Sequence, residues 1–166
     1  MKHKTFNSAA NSAMLKLEEA ARTTLMDKKM FEPITTYITN WVASMTKGDS
    51  HTDDLELATM VLERAGIQSL QYMAYQGRPI NHQEMVELLC KKQHDYGHKN
   101  ISNFGVLGLA VRIADKIARI ENLEKRSSSF NEPLVDSFVD IVGYAMIAVM
   151  LSEETFMLPL EGDKND

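Results

Sequence analysis

Two aspartates stand out in the most apolar stretch of the sequence. Asp136 and Asp140 are the only charged residues between positions 134 and 151. Their spacing of four places both carboxylates on one face of a helix, one turn apart. Like charges at this spacing repel each other, and partial burial raises the cost unless something positive lies between them. The pattern therefore predicts either a bound cation or a basic partner.

A magnesium ion is one candidate for that positive charge. It binds through a few carboxylate oxygens and keeps water molecules that substrate phosphates can replace. Glu132 lies one further turn back on the same face. There it is a candidate for a third metal ligand or for a base just outside the ligand set. With a metal site, Asp140→Asn should remove magnesium binding and, without metal, relieve the repulsion from Asp136.

Basic residues on a neighbouring helix are the other candidate. Arg112, Asp115, Lys116 and Arg119 form a charged stripe at spacings of three and four, opposite an apolar face. From spacing alone, a network of salt bridges to the two aspartates is slightly favoured over a metal site. Both can coexist, with Asp115 joining the metal while the basic residues meet phosphate.

A polar cluster comes just before this stripe. Its residues, which include a candidate acid or base, an aromatic surface for a nucleobase and a phosphate contact, are His94, Asp95, Tyr96, His98 and Lys99. The alternative is a solvated loop, and the histidine spacing fits no standard zinc signature. Residues 95–103 are predicted to form a loop that is mobile without ligand and ordered with it.

The elements that must position these residues are helices. Apolar residues recur at spacings of three and four, and proline is scarce. The sequence predicts an all-α bundle of about six helices, over residues 8–28, 33–48, 53–76, 81–95, 104–126 and 133–151. The last two should pack antiparallel because residues 127–131 form a short linker, and this should bring Asp115 toward Asp136.

Composition limits the class of protein. The chain has 166 residues, of which 44% are hydrophobic and 25% charged, as in a soluble domain. The net charge of -5 argues against a binder of duplex nucleic acid but leaves free nucleotides open. Cys90 is the only cysteine, which fits a reducing cytoplasm, and no signal peptide or membrane span is expected. A Walker-type phosphate loop is absent from the sequence.

Three sequence motifs resemble a known family. They read KQHDYG at residues 92–97, GLAVRIADKIARI at 108–120 and EPLVDSFVDIVGYA at 132–145. Their order, separation and chemistry are similar to those of the phage and bacterial nucleotide modification associated domain, type one. This implies a domain over residues 78–158, with an N-terminal helical region of unknown role over 1–77 and a disordered tail over 159–166.

That family is similar in turn to the MazG-like all-α nucleoside triphosphate pyrophosphatases, whose acidic residues on two adjacent helices bind magnesium and phosphates. The resemblance implies a MazG-like four-helix core in the C-terminal half. Asp115 then stands at the first acidic motif, and Asp136 with Asp140 at the second. The first motif differs from the glutamate-rich pattern of those enzymes, because Lys116 and Arg119 flank a single aspartate.

The implied function is a magnesium-dependent hydrolase that converts a nucleoside or deoxynucleoside triphosphate to monophosphate and pyrophosphate. Asp115, Asp136 and Asp140 would be catalytic and hold the metal with Glu132. The residues that would bind the nucleotide are Asp95, Tyr96, His98, Lys99, Asn100, Arg112, Lys116 and Arg119. The resemblance also implies a homo-oligomer, a dimer or tetramer, in the cytoplasm of the host if the chain is phage-encoded. The alternatives are a non-catalytic nucleotide-binding or host-interaction protein acting during infection, and a helical assembly protein.

Overall fold

Seven helices make up the part of the chain that the structure, a computed structural model, describes, namely residues 3–27, 29, 31–47, 54–126 and 133–162. They are α1 (Phe6–Thr23), α2 (Glu32–Thr46), α3 (Asp54–Tyr75), α4 (His82–Tyr96), α5 (Lys99–Ser102), α6 (Gly105–Glu124) and α7 (Leu134–Ser152). No strand occurs among these residues, so the predicted all-α class is confirmed. The additional helix is α5, which forms one turn inside the segment that the sequence predicts as a loop.

Side chains at the helix ends satisfy the backbone groups that a helix leaves unpaired. Thr5 caps α1, accepting a hydrogen bond from the Ser8 amide at 3.2 Å. Asn81 caps α4 in the same way through the Glu84 amide at 3.0 Å, as the sequence pattern predicts. Gly97, with a φ of 63°, ends α4 in a backbone conformation that favours glycine. This turn separates α4 from α5 and directs the chain back toward α6.

Helix α7 lies at the centre of the bundle, against α1, α3, α4 and α6. Nearly every residue from 137 to 150 is buried. By length and composition alone, with a mean hydropathy of 1.9, α7 could cross a membrane. Burial among four helices accounts for the same composition, because a helix that is hydrophobic on all sides belongs in a core. Asp140 is therefore a charge placed in the most apolar helix of the protein.

Helices α3 and α7 approach each other closely at Gly66. A Cβ atom added at Gly66 would overlap the Cβ of Ala145. A mid-helix glycine costs about 1 kcal/mol relative to alanine in helix propensity. Gly66 is thus explained by packing, since it lets the two helices approach without a side chain between them.

The N-terminal and C-terminal halves share one hydrophobic core. Helices α1 and α3 pack directly on α7, and α1 also packs on α4. The imidazole of His82 joins them as well, 2.9 Å from a Glu18 carboxylate oxygen and 2.8 Å from the Asn11 side-chain oxygen. The division after Gly77 therefore does not separate two cores.

The start of the segment assigned to a disordered tail is held against α1. The Phe6 amide donates to the Pro159 carbonyl at 2.7 Å, and the Glu161 amide donates to the Asn7 side chain at 2.8 Å. Residues 159–162 are therefore part of the folded unit, because they supply partners for the start of α1. The remainder of that segment, residues 163–166, lies outside the described residues.

Helices α6 and α7 are antiparallel. Three contacts join them: Arg119 with Ser137, Lys116 with Asp140, and Arg112 with Tyr144. Each step back along α6 is matched by an equal step forward along α7, which only an antiparallel pair allows. The packing predicted from the short linker is confirmed, although the linker itself, residues 127–131, lies outside the described residues.

The contact at Gly66 leads to a stability prediction. Gly66→Ala should lower the free energy of unfolding by roughly 1 to 3 kcal/mol, although alanine is the better helix former, because overpacking forces the helices apart. Denaturant melts of the purified variant measure this. In an Ala145→Gly background the same substitution should lower the free energy of unfolding clearly less, since the opposing methyl group is gone. A stabilised Gly66→Ala protein would show that the close approach is not required.

Candidate functional site

A cleft of about 430 Å³ opens between α4, α5, α6 and α7. Its walls combine apolar side chains with a few charged and aromatic groups, a composition typical of small-molecule sites. The lining residues are Met85, Leu89, Lys92, Gln93, Tyr96, Asn100, Ile101, Arg112, Asp140, Gly143, Tyr144 and Ile147. Of the residues predicted from sequence, Tyr96, Asn100, Arg112 and Asp140 line this cleft.

Asp140 is held between two lysines at the wall of the cleft. Its Oδ1 atom lies 2.8 Å from the Lys92 Nζ on α4, and its Oδ2 atom lies 2.9 Å from the Lys116 Nζ on α6. Only 19% of the Asp140 side chain is exposed. The basic partner that this aspartate requires is therefore present twice, once from the helix that the sequence indicated and once from α4.

The two ammonium groups keep Asp140 ionised. Burial raises the pKa of Asp140, but the hydrogen bonds and charges of Lys116 and Lys92 outweigh burial and bring the pKa below its usual value. At neutral pH the three groups form a stable cation–anion–cation arrangement. We refer to Lys92, Asp140 and Lys116 as the charged triad.

The described aspartates that were predicted to bind magnesium do not come together as a metal site. Among the described residues, no three His, Cys, Asp or Glu side chains come together in a way that could hold a metal ion. Asp115 is exposed on α6 and Asp136 is half-buried in the first turn of α7, while both oxygens of Asp140 accept from lysine. Glu132 lies outside the described residues. Of the described candidates, Asp140 is in an ion-pair network, and a magnesium site that includes Glu132 stays a prediction.

Arg112 organises the other end of the cleft. Its Nη2 atom donates to the Asn100 carbonyl at 3.2 Å, which ties α5 to α6. Its guanidinium carbon lies 5.9 Å from the centre of the Tyr144 ring, within the range of a cation–π contact. Tyr96, 67% exposed, lines the cleft at the end of α4. This end therefore offers aromatic surface beside a fixed positive charge.

His98 contacts Gln93, one of the residues that line the cleft. Its Nδ1 atom lies 2.6 Å from the side-chain nitrogen of the buried Gln93, and its ring meets the Phe156 ring edge-on at 5.6 Å. These contacts fix the turn between α4 and α5. His98 is not among the residues that line the cleft, although the sequence placed it with the substrate.

The remaining predicted residues lie away from the cleft lining. His94 and Asp95 pair with each other at 3.1 Å on the exposed face of α4, and Lys99 is exposed on α5. Arg119, two turns along α6 from Arg112, donates to the buried Ser137 hydroxyl and so joins α6 to the start of α7. The structure thus brings together part of the predicted set and leaves these residues outside it.

Three polar side chains that line the cleft were not predicted from sequence: Lys92, Gln93 and Tyr144. Lys92 stands one helical turn before Tyr96, and Tyr144 one turn after Asp140, so each shares a helix face with a residue that was identified. All three also stand inside the motifs that carry the family resemblance. The i to i+4 spacing is the signal that could have found Lys92 and Tyr144.

The comparisons with known proteins agree with that resemblance. Residues 92–151 match the family model described as nucleotide modification associated domain 1. The match covers a little over a third of the chain and includes every charged residue that lines the cleft. No curated protein and no solved structure shows a significant match. The resemblance of this segment to the family is confirmed, and the more distant similarity to MazG-like enzymes stays a prediction.

The charged triad leads to a pH-dependent stability prediction. Asp140→Asn should lower the free energy of unfolding near neutral pH by roughly 1 to 3 kcal/mol, because it leaves two partly buried ammonium groups without their anion. A metal site without bound metal would instead be stabilised by the same substitution, because the repulsion between Asp136 and Asp140 would be relieved.

The pH dependence follows from the lowered pKa of Asp140. A lowered pKa stabilises the folded state above the unfolded-state pKa of an aspartate, about 3.9, and this contribution is lost as the pH falls through the folded value. Urea melts of both proteins between neutral and acidic pH should show the difference shrinking below about pH 4. A difference that is constant across this range would contradict the assignment.

Proposed function

We propose that the chain binds a phosphorylated nucleoside in the cleft between α4, α6 and α7. The observation that carries the proposal is the charged triad with Arg112 beside it, in the segment that matches the nucleotide modification associated domain. Two lysines contact one carboxylate, and Arg112 lines the same cleft, in a chain whose net charge is -5. An anionic ligand is therefore attracted to this cleft in preference to the rest of the surface.

The phosphate would lie against Lys92, the lysine of the triad that lines the cleft. Lys92 is 44% exposed, and an ammonium group carries three N–H donors, of which Asp140 takes one. Further donors on Lys92 can meet phosphate oxygens in charge-assisted hydrogen bonds. Asp140 holds the Lys92 and Lys116 ammonium groups in place before the ligand arrives, so less side-chain entropy is lost on binding.

The nucleoside would occupy the aromatic end. Tyr96 and Tyr144 line this end, and stacking of a base on aromatic rings tolerates any base. The Arg112 guanidinium lies at this end, 5.9 Å from the centre of the Tyr144 ring, and Arg112 stands one helical turn from Lys116. The cleft therefore has the charged triad at one end and two aromatic rings beside Arg112 at the other, which suits a ligand with a phosphate and a base.

Binding fits the described residues better than hydrolysis does. Cleavage of a nucleoside triphosphate to monophosphate and pyrophosphate, which the MazG-like analogy implies, relies on metal to polarise phosphate and activate water. The described acidic residues form no group that could hold it. The chain would then capture a nucleotide, and product analysis decides whether it also turns one over.

The test compares two adjacent lysines on α4. Lys92→Ala should weaken nucleotide binding by about 10- to 100-fold, the equivalent of a lost charge-assisted hydrogen bond. Lys91→Ala removes the same charge from the same helix, but Lys91 is exposed and does not line the cleft. It should leave affinity within about twofold of the unaltered protein.

Calorimetry with a panel of ribonucleotides and deoxyribonucleotides gives these affinities, and chromatography of the mixtures detects products. Equal losses of affinity in Lys91→Ala and Lys92→Ala would show that only the overall charge matters, and this would contradict the cleft assignment. Release of pyrophosphate by the unaltered protein, abolished by Asp115→Asn, would contradict a binding function and favour the hydrolase.

A further inference from the structure

We infer that Asn100 determines which nucleobase the cleft accepts, because its side-chain amide hydrogen-bonds the edge of the base at the aromatic end. The inference rests on the proposed function and adds a specificity-determining residue to it. It follows from three observations: Asn100 has a shielded oxygen without a partner, the other amide of the lining is held by the protein, and Arg112 links Asn100 to the aromatic end.

The Asn100 side chain has an oxygen that needs a hydrogen-bond donor. Its Oδ1 atom is shielded from solvent and has no partner among the described residues. In the described part of the chain, it is the only buried side-chain atom without a partner that belongs to the lining of this cleft. A shielded acceptor without a donor is unfavourable and calls for an explanation. A donor on the ligand would satisfy it.

The amide of Asn100 is able to turn toward such a ligand. The side chain is half-buried and lines the cleft. Rotation about the Cβ–Cγ bond exchanges Oδ1 with Nδ2, so the same amide can offer an acceptor or a donor. The hydrogen bond from Arg112 goes to the backbone carbonyl of Asn100, and so it fixes the backbone without restraining the amide.

The other amide of the lining is held by the protein. Gln93 is only 7% exposed, and its Nε2 atom lies 2.6 Å from the Nδ1 atom of His98. Turning this amide toward a ligand would break that contact, whereas the Asn100 amide has no such contact with the described residues to lose. Of the two amides that line the cleft, Asn100 is therefore the one available to a ligand.

The position of Asn100 favours the base as the source of the donor. Arg112 donates to the Asn100 carbonyl at 3.2 Å and lies 5.9 Å from the centre of the Tyr144 ring, so Asn100 belongs to the aromatic end. Ionised phosphate oxygens accept hydrogen bonds and cannot supply a donor. The edges of nucleobases carry N–H donors and acceptors, which a side-chain amide can pair with. Stacking tolerates any base, so the amide is the group that discriminates between bases.

The experiment is calorimetry on the full chain with the mono- and triphosphates of the common ribonucleosides and deoxyribonucleosides, with and without magnesium, and with ribose 5-phosphate as the base-free control. The unaltered protein should bind its preferred base about tenfold or more tightly than its least preferred base. Asn100→Leu removes both polar atoms of the amide at similar size. It should reduce this ratio to less than about threefold and leave the binding of ribose 5-phosphate unchanged.

The matched control is Asn103→Leu. Asn103 stands three positions after Asn100, is exposed and does not line the cleft. This variant loses the same amide from the same part of the chain, so it should keep the base preference of the unaltered protein within about twofold.

A ligand analogue tests the same contact from the other side. The preferred nucleotide is compared with an analogue whose base lacks the N–H donor, by removal of the amino group or by methylation of the ring nitrogen. The unaltered protein should bind the analogue about tenfold or more weakly than the parent. Asn100→Leu should bind the two about equally, which is the coupling expected of a direct pair.

Thermal melts without nucleotide give a readout that does not depend on binding. Because Asn100→Leu removes an acceptor that has no partner among the described residues, the variant should melt at the temperature of the unaltered protein or above it. A variant that melts clearly earlier would show that the amide stabilises the fold, and this would contradict the inference.

The outcomes separate the inference from the proposed function. Equal affinity of the unaltered protein for all bases, or a base preference that survives in Asn100→Leu, overturns the inference and leaves nucleotide binding in place. A ribose preference that disappears in Asn100→Leu while the base preference remains would assign the amide to a sugar hydroxyl, and this also overturns the inference. A panel in which no nucleotide binds contradicts the proposed function itself.

Discussion

The arrangement of α4, α6 and α7 depends on the neutralisation of one largely buried carboxylate, that of Asp140. Asp140 stands in the middle third of α7, the helix that four others surround, and an unpaired carboxylate there would be strongly unfavourable. Lys92 and Lys116 neutralise it from opposite sides, at 2.8 and 2.9 Å. These contacts fix α4 and α6 at the same level of α7. The cleft is the space that remains where these three helices meet the turn at α5.

Helix α7 packs on α3 with one face and carries the charged and aromatic groups of the cleft on another. Ala145 lies against Gly66 of α3, whereas Asp140 and Tyr144 face α4 and α6. Ala145 lies about 140° around the helix from Asp140, at 100° per residue. The tight α3 contact thus supports α7 from behind while the charged groups remain at the cleft. Stability of the core and orientation of the site depend on the same helix.

Local patterns in the sequence predicted most of the fold. The Asn81 cap, the apolar periodicity and the short linker gave the helices and the antiparallel α6–α7 pair, because these depend on neighbouring residues. Spacing also showed that Asp140 needs a positive partner. It could not show that Lys92, 48 positions away, would supply one from α4. Long-range pairs of this kind depend on the packing of whole helices, so spacing alone left both an ion-pair network and a metal site open.

The most direct test of a cationic nucleotide cleft is chemical-shift mapping by ¹⁵N–¹H NMR during a nucleotide titration in chelator. We expect the perturbed amides to concentrate around Lys92, Asn100, Arg112 and Tyr144, the residues at the two ends of the cleft. The same shifts should appear with magnesium present. Perturbations confined to the exposed face of α6 around Asp115 and the first turn of α7, seen only with magnesium, would contradict the account.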